Sequence, residues 1–118
     1  MLTVPQYHAQ LARVLKASQR ETNTLLKSLP KDFKERLAAV PKVTIRFEER
    51  QTRDKTDRRA RVEPLSTTNR ETREIVIYVM AIFDQHGGTP GDFRLALQKV
   101  IMQELADWAG IEVDLGEE

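Results

Sequence analysis

The N-terminal part of the chain has the hydrophobic spacing of an amphipathic helix. Apolar residues recur every three or four positions, which predicts a helix over about residues 4–27. Thr3 and Gln6 match the capping box, in which each of the two side chains accepts a hydrogen bond from the other residue's backbone amide. Ser18 and Thr22 interrupt the apolar face, so we expect the middle of this helix to project from the core.

The following segments change from helical to strand spacing. Pro30 starts a second, short predicted helix that extends through Ala39 and stops before the next proline. Apolar and polar residues then alternate over residues 42–49, which is typical of a half-buried strand. A continuous β-branched and aromatic run at residues 75–80 predicts a strand that is buried on both faces.

Residues 50–74, between these two predicted strands, carry few apolar side chains. Within residues 50–61 there are six basic and two acidic residues, and no aromatic residue is interleaved with them. We therefore expect a long, mobile, solvated basic connection, which also includes the polar stretch at residues 66–69.

The last predicted helix has the clearest start and stop signals. The sequence His86-Gly87-Gly88 breaks the chain just before it. Thr89 can act as the N-cap, and Pro90 suits the first helical position. Gly110 stands where a left-handed residue commonly ends a helix, so the pattern predicts a helix over residues 90–109.

These elements predict one domain of the α+β class. It has a long N-terminal helix, a short helix, a small β-sheet and a C-terminal helix. The longest apolar run, at residues 75–83, is about half of the roughly 20 residues that a membrane-spanning helix needs. With no secretory signal pattern at the N-terminus, we expect a cytoplasmic protein without a membrane partner.

Composition excludes several classes of site. The chain has no cysteine, which removes disulfides, thiolate zinc sites and thiol nucleophiles. Its five glycines form neither a nucleotide-binding loop nor the elbow of a serine hydrolase.

The net charge of +1 conceals two oppositely charged parts of the chain. Residues 1–73 hold 17 basic and 9 acidic side chains (+8), and residues 74–118 hold 2 basic and 9 acidic ones (−7). The basic connection makes five residues candidate contacts for a polyanion or a partner protein. They are Arg53, Lys55, Arg58, Arg59 and Arg61.

The predicted C-terminal helix carries three polar residues on or beside its apolar face. At 100° per residue, an apolar stripe contains Phe93, Leu97, Val100, Ile101 and Trp108. Glu104 falls in the middle of this stripe, and Gln103 and Asp107 lie along one margin. A carboxylate there is expected to face the core, where an unpaired charge is costly.

The segment at residues 100–111, VIMQELADWAGI, resembles the active-site helix of small, single-domain zincin-like metallopeptidases of bacteria, which follows V-x-x-H-E-I/L-A-H-x-x-G-I. The resemblance implies a zincin-like fold. It places Gln103 and Asp107 at the positions of the two zinc-binding histidines and Glu104 at the position of the general base. It also places Val113 at the position of the third, acidic ligand.

The departures from this motif change the expected chemistry. A glutamine amide is a poor zinc ligand, and Asp107 supplies one carboxylate where three protein ligands are needed. We therefore expect no zinc and no other cofactor. The preferred hypothesis is a protein that retains a zincin-like fold without its metal chemistry and acts by binding another macromolecule, most simply a protein.

Other interpretations of the same residues stay open. Glu104 and Asp107, with Glu112 or Asp114, form an alternative oxygen-ligand set for manganese or magnesium in a hydrolase. The basic residues 50–61 suit a nucleic-acid-associated accessory protein. The motif is also compatible with an ordinary capped helix, in which Glu104 pairs with an arginine.

Two histidines are weaker candidates for a site. His8 is expected on the surface of the first helix. His86 precedes the last helix, and it reaches the margin that carries Gln103 and Asp107 only if the chain folds back.

Overall fold

The computed structural model describes residues 3–50 and 64–111, which form four helices and one three-stranded sheet. In chain order the elements are α1 (Val4–Lys27), α2 (Lys31–Ala38), β1 (Thr44–Glu48), β2 (Ser66–Asn69), β3 (Glu74–Tyr78), α3 (Val79–His86) and α4 (Pro90–Ala109). The α+β class and the long N-terminal helix are confirmed.

The capping signals of the two long helices act as predicted. At the start of α1, the Thr3 hydroxyl accepts from the Gln6 amide, and the Gln6 side chain accepts from the Thr3 amide. At the start of α4, the Thr89 hydroxyl accepts from the Asp92 amide. Gly110 ends α4 with a φ of 71°, a left-handed conformation in which a side chain is unfavourable.

The sheet has the order β1-β3-β2, with β1 parallel and β2 antiparallel to the central strand β3. Ile75 and Ile77 are fully buried on the face of β3 that packs against the helices. Val76 and Tyr78 are buried on the opposite face, where Leu65 and Ala81 contact them. Burial of both faces explains why β3 has a continuous apolar run.

The main core lies between the sheet and α4. It also receives side chains from α3, the middle of α1, and α2 with the loop before it. Its most deeply buried large side chains are Ile75, Ile77, Val79, Met80, Ile82, Leu97 and Ile101.

A strand replaces part of the connection that the sequence predicts at residues 50–74. Ser66–Asn69 pairs with β3, and the Asn69 side chain accepts from the amides of Glu71 and Thr72 in the turn that follows. The strand has no apolar residue, so its hydrophobic pattern gives no signal. The segment 51–63 lies outside the described residues.

The predicted strand at residues 75–80 is too long at its C-terminal end. The chain turns into α3 at Val79, and Val79–Ile82 are buried as helical residues. The Met80 amide donates to the Glu49 carbonyl, which attaches the first turn of α3 to the residue after β1. A short apolar run does not distinguish a buried strand from a buried helix, so the pattern alone could not place this boundary.

The expectation that the middle of α1 projects from the core is wrong. Ser18 is fully buried and Thr22 is 4% exposed. Both side chains are small and let α1 come close to the helices against which it packs, α3 and α4. The Ser18 hydroxyl donates to the Val14 carbonyl at 2.7 Å, which satisfies it within the helix.

Candidate functional site

One turn of α4 presents two of the polar motif residues to solvent. Gln103 and Asp107 are both exposed, and the Gln103 amide nitrogen donates to the Asp107 carboxylate at 3.0 Å. A spacing of four residues places both side chains on the same helical face. The two positions that correspond to histidine ligands in the resemblance are therefore bonded to each other.

Glu104 is half-buried between α4 and β2. Its Oε2 accepts from the Ser66 hydroxyl at 2.5 Å, and its Oε1 accepts from the Thr68 hydroxyl at 3.1 Å. Ser66 and Thr68 point to the same side of β2 because side chains alternate along a strand. Glu104 thus joins α4 to the sheet through two hydroxyls, rather than through an arginine or by facing the apolar core.

The described motif residues do not fit a zinc ion. Among residues 3–50 and 64–111, no group of three histidine, cysteine or carboxylate side chains is placed to hold a metal. The Gln103 nitrogen is a hydrogen-bond donor, and both Glu104 oxygens accept from hydroxyls. Val113, with Glu112 and Asp114, lies outside the described residues, so the hypothesis that uses these ligands for manganese or magnesium stays a prediction.

The two histidines lie away from these motif residues. His8 is exposed on α1, with its ring 6.3 Å from that of Tyr7. His86 is exposed at the end of α3 and shares a small pocket with Lys99 and Val100, whose lining includes neither Gln103 nor Asp107.

Trp108, the only tryptophan, connects α4 to the segment before β1. The side chain is 8% exposed, in agreement with a core position, and its indole nitrogen donates to the Pro41 carbonyl at 2.8 Å. The Arg70 guanidinium lies 5.2 Å from the ring centroid, within the range of a cation–π contact.

A groove of about 740 Å³ runs between α1 and β1. We call it the β1 groove. Leu15 and Leu26 of α1 line one side, Ile45 and Phe47 of β1 line the other, and Trp108 also lies in its wall. Sequence periodicity does not predict this groove, because it arises where distant elements leave space between them.

Thr22 lines the β1 groove and has a buried hydroxyl. This hydroxyl has no hydrogen-bond partner among the described residues. Thr24, two residues later, instead donates to the Arg20 carbonyl in the usual helical manner. An unsatisfied buried hydroxyl costs about 1–3 kcal/mol relative to a bonded one.

The basic segment is described only at its first residue. Arg50 forms an ion pair with Asp84 of α3, so this arginine contacts α3 rather than the acidic residues of α4. The candidate contacts Arg53, Lys55, Arg58, Arg59 and Arg61 lie outside the described residues. Their suggested role in binding nucleic acid or a partner therefore stays a prediction.

Comparisons with known proteins give no indication of function, so the proposed function depends on the residues and their geometry. No protein-family model, curated protein or solved structure matches the chain. Within the described part of the chain, no helix is both long enough and apolar enough to cross a membrane.

Proposed function

We propose that this protein is a non-catalytic binding protein, whose α4 resembles the active-site helix of zincin-like metallopeptidases, and that its partner is another protein. The observation that carries the proposal is the pairing of the motif residues. Gln103 bonds to Asp107, and both oxygens of Glu104 bond to hydroxyls of β2.

This pairing opposes the two chemical roles that the motif has in a metallopeptidase. A general base needs a carboxylate oxygen within reach of the water that it deprotonates. Both Glu104 oxygens instead accept from Ser66 and Thr68. The metal positions supply one carboxylate and one amide, and the amide donates to the carboxylate.

The β1 groove supports binding rather than catalysis as the function. It is large and partly apolar, and it is lined by Thr22, whose buried hydroxyl has no hydrogen-bond partner in the described part of the chain, whereas the motif residues bond to one another or to the sheet. Binding surfaces commonly combine an apolar cavity with a few polar groups that a ligand satisfies.

Metal analysis and a peptidase assay test the absence of catalysis. Protein purified without chelator is expected to contain far less than one zinc per chain and to cleave no casein or unstructured peptide. The same assay with added zinc, manganese or magnesium covers the alternative hydrolase. Stoichiometric metal, or cleavage that the Glu104→Gln variant abolishes, would overturn the proposal.

A gain-of-function design tests the resemblance itself. The variant Gln103→His with Asp107→His is expected to bind zinc, and adding Val113→Glu is expected to tighten binding about tenfold or more, because a third protein ligand completes the set. Leu95→His with Lys99→His is the matched control, since these residues are an exposed pair with the same spacing on the same helix. If the third ligand tightens nothing, or the control pair binds zinc as well, the resemblance is accidental.

A further inference from the structure

We propose that the β1 groove binds an extended, acidic peptide segment of a partner protein, which adds to the sheet as a strand beside β1. The proposal rests on the protein-binding function proposed above and specifies the chemistry of the partner. Four observations on the described part of the chain carry it: the edge of β1 without a neighbouring strand, the shape and lining of the groove, the Thr22 hydroxyl without a hydrogen-bond partner, and the charge around the groove.

Among the described residues, no strand pairs with β1 on the side away from β3. The sheet order places β1 at an edge of the described sheet, and the Thr44 amide donates to the Arg73 carbonyl on the β3 side. Backbone groups alternate in direction along a strand, so the amides and carbonyls of Ile45 and Phe47 point away from β3. An extended peptide can pair with these groups, which is the usual mode of strand addition.

The groove beside this edge suits side chains that alternate along such a peptide. Its apolar lining includes Leu15, Leu26 and Leu37, which face Ile45 and Phe47 across the space. β1 has five residues and is therefore about 17 Å long at about 3.3 Å per residue. A peptide of about eight residues covers this length and places every second side chain in the groove.

The Thr22 hydroxyl is an independent indication that the groove is incomplete without a ligand. Thr22 is 4% exposed, and its hydroxyl is buried without a hydrogen-bond partner among the described residues. Native proteins satisfy most buried polar groups, so a peptide carbonyl or side-chain oxygen in the groove is the partner that this hydroxyl lacks.

The charge of the groove selects an acidic peptide. Of the described residues that line it, two are charged, and both are basic: Lys42 and Arg46. Arg46 contacts Glu48 and Glu74, which compensate its charge. Lys42 is exposed and has no acidic partner within the described part of the chain, so it supplies the uncompensated positive charge of the lining. Arg70, outside the lining, adds a positive charge over Trp108. Complementary charge increases the specificity and rate of such association.

The first experiment uses a synthetic, tryptophan-free octapeptide that alternates valine or isoleucine with glutamate. Binding to the full-length chain is followed through the fluorescence of Trp108, which lines the groove and is the only tryptophan. A peptide with lysine in place of each glutamate is the matched control. We expect saturable binding of the acidic peptide and at least about tenfold weaker binding of the basic one. Equal affinity of the two peptides, or no binding of either, overturns the proposal.

Variants of the chain locate the binding surface. Lys42→Glu is expected to weaken binding about fivefold, the effect of one exposed ion pair. Lys99→Glu changes the net charge equally at an exposed residue outside the groove lining, and it is expected to leave the affinity unchanged. Thr22→Val removes the hydroxyl with little change in shape and is expected to weaken binding by about fivefold. If Lys99→Glu weakens binding as much as Lys42→Glu, the charge effect is nonspecific and the proposed surface is wrong.

Amide hydrogen exchange distinguishes strand addition from other modes of binding. The Ile45 and Phe47 amides are expected to gain protection when the acidic peptide is added, whereas Thr44 and Arg46, which face β3, change little. Binding without protection of Ile45 and Phe47 contradicts the proposed mode.

Two other occupants of the groove, the chain's own acidic segment and a second copy of the chain, would give different results. If the peptide binds only after Glu112→Lys with Asp114→Lys, the chain's own acidic segment competes for the groove and the partner proposal fails. If sedimentation shows a dimer that Lys42→Glu dissociates, the occupant is a second copy. The zinc and peptidase assays are independent of these results, so a failure of the groove proposal is distinguishable from a failure of the non-catalytic assignment.

Discussion

Two regions of this protein that include residues of α4 differ in how their hydrogen-bonding groups are satisfied. The motif cluster consists of Gln103, Glu104 and Asp107 with Ser66 and Thr68 of β2, and its side chains bond to one another. The β1 groove, in contrast, contains a buried hydroxyl and a strand edge without partners among the described residues.

On the function proposed above, this difference gives the motif cluster a structural role and the β1 groove a binding role. The sequence pattern favours the motif cluster as the functional site, because a carboxylate on an apolar helical stripe is unusual. The contacts, however, satisfy that carboxylate within the fold, where it joins α4 to β2. The sequence gives no signal for the groove, and there the Thr22 hydroxyl has no hydrogen-bond partner among the described residues. A ligand gains most where the fold leaves groups unsatisfied, since it supplies bonds that the protein does not.

The largest expected effect on stability is that of replacing Trp108. Both regions depend on this residue because it positions α4. Trp108→Ala is expected to lower the free energy of unfolding by about 3–5 kcal/mol, the usual cost of removing a buried tryptophan. Trp108→Phe, which keeps an aromatic ring but loses the bond to the Pro41 carbonyl, is expected to cost less. Urea unfolding followed by circular dichroism measures both. A loss below about 1 kcal/mol for the alanine variant would show that the groove wall is not part of the core.

Within the motif cluster, substitution of Glu104 is expected to lower the free energy of unfolding more than substitution of its neighbours. Glu104→Ala removes two hydrogen bonds to a carboxylate and is expected to cost about 1–2 kcal/mol, reduced from the buried case because the residue is only half-buried. Gln103→Ala removes one exposed bond and is expected to change the stability by less than about 0.5 kcal/mol. Equal losses in the two variants, measured by urea unfolding, would mean that the cluster acts as one network.

In the groove, removing the polar group of Thr22 is expected to leave the free energy of unfolding unchanged or to raise it, the opposite of the loss expected at Glu104. Thr22→Val removes a hydroxyl without a partner among the described residues, so the free energy of unfolding is expected to stay constant or rise by up to about 1 kcal/mol. Thr22→Ser keeps the hydroxyl and removes a buried methyl group, and it is expected to cost about 1 kcal/mol. A marked loss in the valine variant, measured in the absence of peptide, would show that the hydroxyl already has a partner.

The smallest expected effect on stability comes from the contact between Tyr7 of α1 and Glu49, the residue after β1. Burial and then the hydrogen bond to Glu49 raise the pKa of Tyr7 above its ordinary value of 10.0. Because the folded state holds the phenol proton more tightly than the unfolded chain, this contribution to stability is fully present below about pH 10. It is lost as the pH rises through the raised pKa. Urea unfolding between about pH 8 and 11 is expected to show a steeper alkaline loss in the native chain than in Tyr7→Phe. Parallel curves would mean that this contact does not hold α1 to the end of β1.

Local patterns in the sequence determined the elements whose signals lie within a few residues. The capping box at Thr3 and Gln6, the left-handed Gly110 and the alternation before Glu49 depend on neighbours in the chain, so α1, α4 and β1 follow from them. The charge separation between residues 1–73 and 74–118 is likewise a property of the sequence.

Tertiary contacts decided the rest. β2 has polar side chains on both faces and is a strand because it pairs with β3, and Ser66 and Thr68 then meet Glu104 from a distant part of the chain. Thr22 is buried because α1 packs closely against other helices, and the β1 groove exists because α1 and β1 do not close against each other. Hydrophobic period and capping act over a few residues, whereas hydrogen-bond partners and cavities are set by residues that only the folded chain brings together.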